Sequence, residues 1–203
     1  YWLSYAESGV VAFAAATVFA VGVCYFWPTM LGFVSERIPK TGALGLGLMG
    51  AVAMFTVGLV TAPQMGRIAD EYAHRQFIPA DVASVLESTS QQLNAGLVDA
   101  PEPIAVDMQA AIDASNQVVR HFQESGSLPE LATADAMRLV ISSGADASVT
   151  GPVNDILSPA DNYGGRISFR YVVPLCLVLT VIFLLLFLGD RKRGGYKVVR
   201  INE

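Results

Sequence analysis

The groups in this chain that could do chemistry in an apolar setting are few, and they fall inside long uncharged runs. Thr17, Tyr25, Trp27 and Thr29 interrupt one run, and Thr56, Thr61 and Gln64 interrupt another. Hydroxyl, indole and amide groups so placed can line a polar path or hold a solute by hydrogen bonds, because polar groups in hydrocarbon are costly without partners. Each also has a plainer role. An intramembrane threonine often bonds back to its own helix, and Tyr or Trp near a helix end often anchors at the membrane interface. Both roles stand open for Tyr25, Trp27, Gln64, Thr56 and Thr61. Asp, Glu and His are absent from these runs, so an ion-coupling residue, if there is one, lies elsewhere. His74 and His121 have no Cys or His at metal spacing and read as surface residues. No phosphate loop, nucleophile elbow or carboxylate pair stands out, so no catalytic, metal or cofactor site is expected.

The elements that must position these groups follow from where the charges are missing. Val10 to Met30 and Gly42 to Gln64 carry no charged side chain. Each is close to the ~20 residues needed to cross a ~30 Å hydrocarbon core. A third apolar run fills Val172 to Leu188. The sequence therefore predicts spans over about 9–31, 42–66 and 169–188. Pro28 removes an amide donor near the end of the first span and is expected to kink or break it. Pro63 is expected to disturb the last turn of the second. Ala43, Gly47 and Ala51, then Gly58, Ala62 and Gly66, recur every four residues and suggest a stripe for close helix packing. Cys24 and Cys176 fall inside spans, where packing is the expected role.

Between the second and third spans lies a different kind of sequence. Residues 71–165 are rich in Asp and Glu, opposed there by only Arg75, Arg120 and Arg138. Three stretches, Ala80–Asn94, Pro103–Gln123 and Pro129–Ser142, read as amphipathic helices. In the second, Ile104, Met108, Ile112, Val119 and Phe122 recur at helical steps. Gly126, Gly144, Gly151 and Pro152 read as breaks. The expected domains are thus 1–70, 71–165 and 166–203, giving an all-α integral membrane bundle with a mostly helical insert.

Basic residues set the expected orientation. Arg37 and Lys40 lie in the turn after the first span, beside Glu36. Arg191, Lys192, Arg193, Lys197 and Arg200 follow the last. Three spans put both regions on one side, which the positive-inside rule makes cytoplasmic. Arg166 and Arg170 go against that trend. The insert is then extracytoplasmic and the carboxy terminus cytoplasmic. Glu36, Arg37 and Lys40 read either as a charged latch or as a solvated turn. An acidic insert with few bases argues against a nucleic-acid partner.

The order Phe26-Trp27-Pro28-Thr29-Met30-Leu31-Gly32, then Ser35-Glu36-Arg37-Ile38-Pro39-Lys40-Thr41-Gly42, then Pro63-Gln64-Met65-Gly66-Arg67-Ile68-Ala69-Asp70, resembles the last quarter of a major facilitator superfamily transporter. The ending Gly194-Gly195-Tyr196-Lys197 is similar to cytoplasmic tails of its bacterial sugar-type members. The resemblance covers residues 1–70 and 166–200; the long insert departs from it. It implies that the spans match the tenth, eleventh and twelfth helices of a twelve-helix fold, with Tyr1–Ala6 closing the ninth. The preceding helices of the same transporter, membrane lipid and a small polar solute are the implied partners, with alternating access in a bacterial inner membrane as the implied mechanism. The insert would pack over the outer mouth. The rival expectation is a complete three-span protein whose external helices bind a partner or sense a ligand.

Overall fold

The computed structural model describes residues 1–195, so Tyr196, Lys197 and Arg200 of the expected basic tail lie outside the described residues. The fold is all-α: among the described residues there is no strand, and three helices are long and apolar enough to cross a membrane. This is the make-up of a multi-pass membrane protein. The chain divides into two units, residues 1–66 with 168–203, and residues 67–167.

The first unit begins with a short 3-10 helix, Trp2–Tyr5, and then α1, Gly9–Arg37. Ser8 caps α1 by accepting the Val11 amide. The helix runs unbroken through Pro28, so the break expected there does not occur; one missing hydrogen bond in a helix of this length does not end it. A 3-10 turn, Pro39–Thr41, reverses the chain into α2, Gly42–Thr56. Gly42 sits at φ +51, ψ −137, a conformation that a side chain makes costly. A π turn, Val57–Thr61, then leads into α3, Ala62–His74. Here the structure corrects the expectation for Pro63. The helix continues past it, and the disturbance lies in the preceding turn.

α7, Ala147–Lys192, brings its second half into this unit. Three contacts in ascending order show that it runs parallel to α1. The Arg170 guanidinium stacks 4.1 Å from the Tyr5 ring centre, Phe26 meets Phe183 edge-on at 6.3 Å, and Arg37 pairs with Asp190.

The second unit is a water-type helical bundle. Its helices are α4 (Pro79–Gly96), α5 (Glu102–Ser125), α6 (Glu130–Ser142), the end of α3 and the first half of α7. α4 and α5 carry proline in the first turn, where the missing amide costs nothing, and α6 starts directly after Pro129. The apolar faces meet in one core that includes Val82, Leu86, Leu93, Ile112, Val118, Met137 and Val153, and each fully buried aliphatic contributes about 1.5–3 kcal/mol. α7 starts well ahead of the span expected over 169–188, and the expectation that Gly151 and Pro152 act as breaks is overturned. Both lie inside α7, held there because Val153, Leu157, Ala160, Gly164 and Ile167 repeat at steps of four and three and are all buried.

Candidate functional site

The in-span polar groups are placed by α1 and by the π turn. Tyr25 and Trp27 lie on α1, 74% and 44% exposed, and Gln64 is exposed on the first turn of α3. None of the three is turned into a core of this chain. The threonines behave differently. Thr17 donates to the Phe13 carbonyl at 2.8 Å and Thr56 to the Val52 carbonyl at 2.8 Å, and Thr29 donates likewise to Tyr25. These hydroxyls already have a partner on their own helices. Thr61 is half-buried in the π turn.

Elsewhere on the spans the apolar surface is largely uncovered. Leu46, Met49 and Ala53 form the half-buried side of α2, whereas Gly47, Ala51, Gly58 and Ala62 are exposed. Beyond the adjoining residues and backbone of its own helix, no described atom lies within 4 Å of where a Cβ on Gly47 or Gly58 would sit. Cys24 and Cys176 are also on exposed faces.

At the carboxy-terminal ends of α1 and α7 the structure assembles a site that local sequence reading missed in part. Arg37, the last residue of α1, pairs with Asp190, and its guanidinium also lies 5.3 Å from the Phe33 ring centre. Their side chains are only 24% and 20% exposed. Partial shielding and the aromatic face strengthen such a pair relative to one in open water. Of the turn residues read as a latch or a solvated turn, Glu36 and Lys40 are exposed, and Arg37 joins this contact with α7. Asp190 had a legible signal: it is the single acid in the run Asp190-Arg191-Lys192-Arg193. At the opposite end of the pair of helices, Arg170 donates to the Ser4 carbonyl at 3.5 Å while covering Tyr5.

The second unit holds a separate charged cluster. Arg138 on α6 reaches Asp70 at 3.0 Å on α3, Asp161 at 3.1 Å on α7 and Asp135 at 3.5 Å on its own helix. Burial works to lower the Arg138 pKa, but its hydrogen bonds and charge attraction to Asp70 and Asp161 outweigh that and raise it. Close by, Gly164 lets α7 approach α3. A Cβ there would meet the Ala69 carbonyl and lie 3.1 Å from the Ala73 amide nitrogen. His74 departs from the surface role expected of it: it is half-buried, packs edge-on against Phe77, and its Nδ1 is buried with no hydrogen-bond partner among the described residues. His121 is exposed.

Comparison with protein-family models, with curated proteins and with solved structures gives no match.

Proposed function

We propose that the chain forms part of the wall of a secondary transporter of the major facilitator type, moving a small polar solute across a bacterial inner membrane by alternating access. One observation carries the reading. Tyr25, Trp27 and Gln64 stand on exposed faces of spanning helices whose remaining surface is almost wholly uncovered and apolar. Lipid suits aliphatic surface, but a phenol, an indole and an amide along spans call for polar neighbours or a wet path. Three spans do not enclose a path by themselves, so further helices complete it. The Arg37–Asp190 pair then fastens the ends of two wall helices on the cytoplasmic side, and the bundle of residues 67–167 is extracytoplasmic.

The test is counterflow in proteoliposomes that hold the complete gene product, with a panel of labelled neutral sugars and polyols. Saturable counterflow of at least one solute is expected, with KM raised several-fold by Tyr25→Ala or Gln64→Ala. Absence of counterflow across the panel overturns the reading.

A second reading has its own support. The bundle has an independent core and, between α4, α5 and the start of α7, a groove of about 380 Å³ with a mixed lining that includes Gln92, Leu93, Ile104, Met108, Asp146 and Val149. On that reading the protein is a three-span receptor or scaffold, and the same liposomes show no counterflow.

A further inference from the structure

The second span is helical from Gly42 to His74, yet its hydrogen-bond register changes once inside the apolar stretch. Val57–Thr61 is a π turn between α2 and α3. At its entry the Val57 amide is shared between the Ala53 and Met54 carbonyls. At its exit the Ala62 amide donates to the Val57 carbonyl, five residues back, where an α-helix would use Gly58. The next amide in line does not exist, because residue 63 is proline.

The cause of the turn is local. In an α register the Pro63 ring collides with the Leu59 carbonyl, four residues earlier. Widening the preceding turn by one residue moves that carbonyl aside. Packing contributes little: Val57, Leu59 and Val60 are each more than half exposed, and the space around Gly58 is open. The Thr56 hydroxyl bonds back to Val52 and so belongs to α2.

We infer that Val57–Thr61 is a register switch, able to close either on Val57 as a π turn or on Gly58 as an α turn, with Pro63 favouring the first. A π closure holds one residue more than an α closure. Switching therefore rotates α3 by roughly 100° about its axis relative to α2. That rotation carries Gln64, exposed in the π register, to another face of the span and changes the exposure of Thr61. The inference stands on backbone geometry and does not depend on the transporter reading.

Solid-state NMR of the full chain in lipid nanodiscs tests it, through the dipolar couplings of the Ala62 amide nitrogen to the carbonyl carbons of Val57 and Gly58. In the native sequence the Val57 coupling is expected to be the stronger, and in Pro63→Ala the order is expected to reverse. A Gly58-dominant native protein, or a Pro63→Ala protein that keeps the Val57 closure, overturns the inference. Deletion of Val60 in the Pro63→Ala background decides the matter if Pro63→Ala alone fails to insert. With the ring and the extra residue both gone, the span should be a continuous α-helix with both flanks in place and Tm unchanged or raised. A lowered Tm overturns the inference.

Discussion

Breaking the Arg37–Asp190 pair should separate the ends of α1 and α7 at a measurable energetic cost. Two unit charges ~4 Å apart attract by about 4 kcal/mol at an effective dielectric constant of 20, before desolvation is subtracted. Fully exposed pairs retain about 0.2–1 kcal/mol, and breaking a fully buried one costs about 3–5 kcal/mol. With side chains 24% and 20% exposed, this pair falls between those limits, and a coupling of about 1–2 kcal/mol is expected. The assay is a double-mutant cycle, Arg37→Ala, Asp190→Ala and both together, on thermal unfolding in nanodiscs. The reversed pair, Arg37→Asp with Asp190→Arg, should recover stability relative to either single reversal. Because the groups are shielded, the coupling should survive high salt better than a surface pair does. A coupling below about 0.3 kcal/mol, the ordinary scatter of independent sites, would refute the parallel docking of α1 and α7 at this end.

Four further outcomes follow from the second unit, each read by thermal or denaturant unfolding. Gly164→Val should destabilise it by a few kcal/mol, since the added Cβ meets the Ala69 backbone and not a flexible side chain; an unchanged midpoint would show that α3 and α7 do not cross so closely. Leu86→Ala should cost about 2–5 kcal/mol, as Leu86 is fully buried. Ser115→Ala should be neutral or stabilising by about 1 kcal/mol, because the Ser115 hydroxyl is fully buried with no partner among the described residues; a clear loss of stability would reveal an ordered water on it. Arg138→Gln should cost on the order of 1 kcal/mol at low salt and less at high salt, given how exposed the guanidinium is. The raised Arg138 pKa sets the sign of any pH effect. Its contribution is complete below the ordinary guanidinium range and is lost only on passing into stronger alkali, so unfolding between pH 6 and pH 9 should not titrate with this group.

What could be read directly from the residues was whatever acts over a few positions. Missing charge marked the spans, since a single charge at a span's centre is costly wherever it occurs. Proline marked the starts of α4, α5 and α6 almost to the residue, because there its fixed φ agrees with the helix it opens. The same residue misled where tertiary packing decides. Pro28 and Pro152 lie inside helices, and each removes one hydrogen bond that a buried face outweighs or a long helix tolerates. For α7 the decisive signal was present but competed with those prolines: the four-three spacing from Val153 to Ile167 is a core stripe that no loop needs. Arg138, by contrast, showed only its neighbour Asp135 locally, as Asp70 and Asp161 lie 68 and 23 positions away. The in-span polar groups show the same division. Sequence singled out Tyr25, Trp27, Gln64 and the threonines alike, and geometry separates them. Thr17, Thr29 and Thr56 spend their hydroxyls on their own helices, whereas Tyr25, Trp27 and Gln64 stand on exposed faces. Pro63 joins both lessons. Its chemistry announced a disturbance, but the clash acts on the carbonyl four residues earlier, so the strain appears upstream, between Thr56 and Gln64. Movement of this span would therefore begin beside Thr61 and Gln64.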